Sequence, residues 1–168
     1  MKKSLGRAFI YSLIALFIMV FLFTVISYAL NDDMYILIDS ITAYPFLIIY
    51  HLTKAFTFFP WYLIELISVG TGYMLYYIGV FVALIIASII AGISGGDIPK
   101  SLGGWILTSI CCIVLLMAGA YVEAMVKQYI CATCTVEEAI VDVLITGATN
   151  LLIFGGVTLI VAAIVGKS

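Results

Sequence analysis

The chain has 168 residues, of which 65% are hydrophobic and only 10% are charged, and its formal net charge is −2. Soluble domains are about 45 to 50% apolar and about 25% charged, so this composition excludes a water-soluble globular protein. It also excludes intrinsic disorder and a nucleic-acid partner, because seven basic residues against nine acidic ones leave no basic face. We therefore expect an all-α polytopic transmembrane helix bundle, one integral membrane domain over residues 1–168, in a lipid bilayer.

The first predicted span covers residues 8–30, which carry no charge and are long enough as a helix to cross a hydrocarbon core of about 30 Å. Lys2, Lys3 and Arg7 precede it and predict a cytoplasmic N-terminus by the positive-inside rule. A cleaved signal peptide is the alternative, because Ser27-Tyr28-Ala29 resembles a cleavage site. The uncharged run exceeds the roughly 7 to 15 residues of a signal's hydrophobic region and favours a retained anchor.

The next segment, residues 34–69, is rich in aromatic residues but is interrupted by ionisable residues and proline. We expect it to form aromatic interfacial or re-entrant helices between the first and second spans, which gives four spans. In a five-span alternative, Met34 to Tyr50 crosses the membrane and all later elements are inverted. Lysine and arginine are distributed five to two in both arrangements. Asp39 and Pro45 make the extra span poor, and this favours four.

Three further spans are predicted at about residues 71–93, 105–127 and 139–165. The glycine-rich stretch 92–104 is predicted to be a tight turn in which Pro99 prevents the helix from continuing. Residues 127–138 carry charged and hydrogen-bonding side chains, so they are predicted to form a water-facing loop.

Small residues recur at every fourth position of the second span. Such a pattern predicts a helix-packing face, because small side chains let another helix approach the backbone closely. Packing inside the bundle is favoured over a contact with a partner subunit. The face comprises Gly79, Ala83, Ala87, Ala91 and Gly95.

The last span carries an intramembrane polar stripe, with Asp142, Thr146 and Asn150 at intervals of four residues. Polar groups on a membrane helix turn towards another helix or a water-filled cavity. An interhelical hydrogen bond from Asn150 is the favoured interpretation, and the lining of a permeation path is the alternative.

Cys131 and Cys134 form a C-x-x-C in the predicted loop and are a possible disulfide or redox pair. A C-x-x-C in a four-span protein resembles the membrane thiol oxidases of the vitamin K epoxide reductase type, which pass electrons from such a motif to a quinone. The resemblance covers the number of spans and this one motif, and no catalytic role is assigned from it. Cys111 and Cys112 lie in a span, so the four cysteines do not suit a zinc site.

The single histidine, His51, excludes haem held by two histidines and multi-histidine metal sites, so we expect no metal, cofactor-binding or catalytic residues and no cofactor. The favoured function is a non-enzymatic integral membrane protein, either an accessory subunit of a membrane complex, with other membrane subunits as partners, or a homo-oligomer. A small transporter or channel and a membrane thiol-disulfide oxidoreductase are the alternatives.

Overall fold

The computed structural model describes residues 3–43, 48, 52–53, 56, 74–128 and 136–166. Over these residues the secondary structure is helical, with no β-strand. The helices of ten or more residues are α1 (Leu5–Leu30), α2 (Met34–Ala43), α3 (Met74–Gly95), α4 (Ile98–Gln128) and α5 (Val136–Val165). The all-α class is therefore confirmed.

Four segments of these helices are long and apolar enough to cross a membrane: Leu5–Leu30, Met74–Gly95, Ile98–Gly119 and Val143–Val165. At a rise of 1.5 Å per residue, each exceeds the hydrocarbon core of about 30 Å. These four helices fit an integral multi-pass membrane protein. Large apolar side chains cover their outward faces, as expected for surfaces that contact lipid acyl chains.

Helices α1 and α3 run antiparallel. A Cβ added at Gly79 would stand 2.5 Å from Phe23 Cβ, while one added at Gly96, after the end of α3, would stand 2.6 Å from Lys3 Cβ before the start of α1. The connection between these helices therefore begins and ends at the same end of the bundle. A fifth crossing by Met34 to Tyr50 would have made α1 and α3 parallel, so the course of the chain agrees with four spans.

The contacts of α4 and α5 complete the arrangement. Gly104 packs on Ala8 and, one turn further along both helices, Thr108 contacts Ser12, so α4 is parallel to α1. Thr158 bonds to Ser88 and Gly166 lies beside Gly96, so α5 is parallel to α3. The two ends of the bundle differ in charge. Among the described residues, the basic end at the start of α1 and α4 has Lys3, Arg7, Lys100 and Asp97. The segments at the opposite end, which we call the acidic end, carry Asp32, Asp33, Glu123, Glu137, Glu138 and Asp142.

The prediction of a glycine-rich turn over residues 92–104 was wrong in its extent. Helix α3 continues to Gly95 and α4 begins at Ile98, so only Gly96 and Asp97 separate them. Pro99 lies in the first turn of α4, where a missing amide hydrogen costs nothing. The glycines at 92, 95 and 104 lie within helices, and other segments pack closely against each of them. A Cβ added to Gly95, for example, would stand 2.5 Å from Ser101 Cα.

Candidate functional site in the core of the bundle

The centre of the bundle is an aromatic cluster around Trp105, which comes from the second turn of α4 and is fully buried. The ring of Phe154 on α5 lies 6.4 Å from it in an edge-on arrangement, and the ring of Phe56 lies 6.0 Å away. Phe81 of α3 packs edge-on against Phe154 at 5.9 Å. Such pairs each contribute about 0.5 to 1.5 kcal/mol beyond the area that they bury. We call Phe56, Phe81, Trp105 and Phe154 the aromatic cluster.

Two side-chain hydrogen bonds hold this cluster to the backbone of other elements. Trp105 donates from Nε1 to the carbonyl oxygen of Leu151, at 3.2 Å, and so joins α4 to α5. Asn150, also fully buried, donates from Nδ2 to the carbonyl oxygen of Phe56, at 2.9 Å. Because a polar group in a membrane interior is costly without a partner, both bonds remove a penalty as well as adding cohesion.

The contact at Phe56 places part of the connection between α1 and α3 deep inside the bundle. Asn150 lies about 10 Å along the helix inside the acidic end of the span Val143–Val165. The connection starts and ends at the acidic end, yet at Phe56 it reaches this depth. Thr53, three residues earlier, is also fully buried. The chain at Phe56 thus lies between the helices of the bundle. Residues 44–47, 49–51, 54–55 and 57–73 lie outside the described part, so interfacial or re-entrant helices over 34–69 stay a prediction.

Hydroxyl groups join the helices at two further levels. Ser12 of α1 and Thr108 of α4 lie 2.6 Å apart between their oxygens, and both are fully buried. Thr158 of α5 donates to the carbonyl oxygen of Ser88 on α3, at 3.1 Å. Interhelical hydrogen bonds in membranes contribute about 0.6 kcal/mol each on average, so they fix the register of the helices more than they stabilise them.

The predicted packing face of α3 lies buried within the bundle along its whole length. Gly79 faces Phe23 of α1, and Gly95 faces Ser101 of α4, which donates its hydroxyl to the carbonyl oxygen of Gly92. The members of this face, all buried, are Gly79, Ala83, Ala87, Ala91 and Gly95. Both of its ends are therefore covered by other helices of the same chain.

The predicted polar stripe is placed in part. Thr146 and Asn150 point into the bundle, where Thr146 donates to the carbonyl oxygen of Val143 in its own helix. Asp142 belongs to α5, but its side chain is outside the described residues. The predicted pair Cys131 and Cys134 also lies outside them. Among the residues that the structure does describe, no group of three His, Cys, Asp or Glu side chains could hold a metal ion.

The sequence reasoning missed the contact face between α1 and α4. Its polar members are Ser12 and Thr108, and Gly104 packs directly on the backbone of α1. A signal was present, because α4 repeats small or polar residues every four positions at Gly104, Thr108 and Cys112.

The α3–α4 turn at the basic end carries a local ion pair. Lys100 pairs with Asp97, and its backbone amide also donates to Asp97 Oδ1 at 2.9 Å. The hydrogen bond from the Lys100 side chain, followed by the one from its amide, lowers the pKa of Asp97 below the ordinary value of 3.8. Asp97 thus remains ionised and caps the start of α4.

Comparison with known proteins gives no match: no family model, no curated protein and no solved structure is significantly similar to the chain.

Proposed function

We propose that this protein is a non-enzymatic integral membrane protein that acts by assembling in the bilayer, as an accessory subunit of a membrane complex or as a homo-oligomer. Small and polar residues inside the described bundle are engaged in contacts between its own helices. Both ends of the small-residue face of α3 are also covered. Assembly with another protein therefore needs a different surface.

The outward surface of α5 has the properties that such assembly requires. Thr149, Gly156 and Ala163 are partly exposed and recur every seven residues, which keeps them on one side of the helix. A Cβ added at Gly156 would meet no atom within 4 Å. Leu152 and Ile160, on either side of it, are 73% and 63% exposed. Leu152, Gly156 and Ile160 lie on one row of residues four apart, so the result is a notch in a single apolar ridge.

The open notch at Gly156 is the observation that carries this proposal. Apolar burial gives no drive for association between helices in lipid, so close backbone approach at small residues is a main source of affinity. A second α5, or a helix of another membrane subunit, could place its own ridge in the notch. We call the surface formed by Thr149, Leu152, Gly156, Ile160 and Ala163 the α5 notch.

The test is the oligomeric state of the purified chain and of Gly156→Leu, by native mass measurement in a mild detergent. Leucine at this position fills the notch but enters open space in the single chain, so the fold should persist. We expect oligomers or a co-purifying membrane subunit with wild type, and at least about tenfold weaker association with Gly156→Leu. Gly6→Leu is the matched control, because Gly6 on α1 is equally open.

A strictly monomeric wild-type protein without a co-purifying partner would contradict assembly as the function. Association that is equally strong with Gly156→Leu would contradict the notch as the surface. A loss that Gly6→Leu reproduces would point to a general effect of bulk on the lipid-facing surface.

The charge difference between the two ends of the bundle supports a cytoplasmic N-terminus, because basic residues concentrate on the cytoplasmic side of membrane proteins. In this orientation Cys131 and Cys134 face the other side of the membrane, where a disulfide can persist. An impermeant thiol reagent applied from outside, after reduction, should label these cysteines in intact cells. Labelling only after lysis would contradict this orientation.

A transporter or channel is the second candidate, and the buried contact between Asn150 and Phe56 favours it. Polar side chains inside a membrane bundle mark substrate or ion paths in many transporters, and the segment between α1 and α3 reaches one such side chain here. Asn150 holds the carbonyl of Phe56 at this point. Solute or ion flux in liposomes should then depend on Asn150, and flux that is unchanged by Asn150→Leu would contradict this candidate.

A further inference from the structure

The basic end of the bundle joins the first turns of two parallel helices. Helix α1 starts at Leu5 after its cap Ser4, and α4 starts at Ile98 after Asp97. A Cβ added at Gly104 would stand 2.9 Å from the backbone nitrogen of Phe9, so the backbones are in near contact here. The positive ends of both helix dipoles therefore lie at one seam.

Two basic side chains at this seam lack a carboxylate partner among the described residues. The aliphatic stem of Lys3 packs on Gly96 and so crosses the α3–α4 turn. Asp97, the acidic residue at this end, is engaged by Lys100. Lys3 is exposed and Arg7 is half-buried, and neither forms an ion pair within the described part of the chain. No carboxylate of the described residues compensates their positive charge.

Exposed apolar side chains adjoin these charges. Leu5 in the first turn of α1 and Ile98 in the first turn of α4 are both exposed. A free anion gains no binding energy from apolar neighbours, whereas a phospholipid presents a phosphate directly above its acyl chains. The charge and the apolar surface together match an anionic lipid at the level of its headgroup.

We infer that Lys3 and Arg7 form a binding site for the headgroup of an anionic phospholipid at the seam between α1 and α4. The phosphate meets the two basic side chains and the helix N-termini, and the acyl chains lie along the exposed apolar residues of both helices. The protein would thereby gather anionic lipid around its basic end, independently of whether it assembles through the α5 notch.

The experiment uses the full chain in nanodiscs that contain phosphatidylcholine and about 30 mol% phosphatidylglycerol, with retained lipids identified by native mass spectrometry. Near an anionic surface each basic residue contributes about fivefold in affinity, so the combined variant Lys3→Gln with Arg7→Gln should lower the preference for phosphatidylglycerol at least about fivefold. Lys127→Gln removes one charge at the other end of α4 and should keep the preference, whereas Arg7→Gln alone removes one charge at the basic end and should lower it.

The charge-conserving pair Lys3→Arg with Arg7→Lys should also keep the preference, which separates charge from a particular side-chain shape. A preference that survives in the Lys3→Gln, Arg7→Gln variant would overturn the site. An equal loss in Lys127→Gln and in Arg7→Gln would overturn its location. Displacement of phosphatidylglycerol by inorganic phosphate at about 10 mM would show a site for free anions and would overturn the lipid assignment.

Discussion

Replacing Gly79 by alanine is the sharpest test of how α1 and α3 are held together. The added Cβ would stand 2.5 Å from Phe23 Cβ and closer still to Cγ of the same ring. Turning the ring cannot relieve the contact, because Phe23 Cβ is fixed by the backbone of α1. Ordinary contact requires about 3.5 Å, so the two helices must separate locally by roughly 1 Å.

The cost follows from this separation. A gap of 0.5 to 1 Å forfeits about a quarter to a half of the dispersion energy of the atoms concerned, and overpacked cores lose about 1 to 3 kcal/mol. Alanine is more favourable than glycine by about 1 kcal/mol inside any helix. Gly156→Ala has this gain without a clash, because its Cβ enters open space, so the difference in stability between the two variants measures the clash alone. Gly79→Ala should be less stable than Gly156→Ala by about 2 kcal/mol.

The free energy of unfolding can be measured by reversible denaturation in mixed micelles, with micelles in excess so that each holds a single chain. A double-mutant cycle with Phe23→Ala adds a second readout, because removing the ring relieves part of the clash and makes Gly79→Ala less costly in that background. Equal stabilities of Gly79→Ala and Gly156→Ala, within about 0.5 kcal/mol, would refute the close approach of α1 and α3 at this level.

Two further predictions use the same unfolding assay. Thr108→Val removes the buried bond to Ser12 and should lower the free energy of unfolding by about 0.6 to 1.7 kcal/mol. Thr149→Val should change it little, because Thr149 is partly exposed and bonds to its own helix. Equal effects of the two variants would contradict a role for the Ser12 bond. Asp97 has a lowered pKa when folded, so its contribution to stability is present above its ordinary pKa of 3.8 and is lost as pH falls through the lowered value. Between about pH 6 and about pH 3, Asp97→Asn and Lys100→Gln should therefore lose less stability than wild type, and identical acid profiles would exclude this ion pair as the cause.

The spans could be predicted from the sequence because length and apolar composition alone decide what crosses a bilayer. The helix limits were less accurate at the α3–α4 turn. Glycines there were taken as turn residues, but in a membrane bundle glycine also marks close contact between helices, and sequence spacing does not show which use applies. Gly96, with φ of 83°, is the one glycine in the described residues that needs the left-handed region.

The interior site was foreseen only in part. A buried role for Asn150 follows from its depth, because an amide in lipid is costly. Its partner could not be predicted, since Phe56 is 94 residues away and the contact is made to a backbone carbonyl that any residue could offer. The Ser12 and Thr108 pair was missed for a similar reason: a single hydroxyl can bond to its own helix, so the sequence alone does not reveal a contact between helices.

The bond between Asn150 and Phe56 also sets an order of events during synthesis. The chain at Phe56 emerges well before α4 and α5 exist, so neither Trp105 nor Asn150 is available to receive it. At about 5 to 20 residues per second, the donor Asn150 follows roughly 5 to 20 s later. Until then the carbonyl of Phe56 lacks the amide donor that it meets in the folded bundle. Its entry into the bundle is therefore a late step, completed when the last helix arrives.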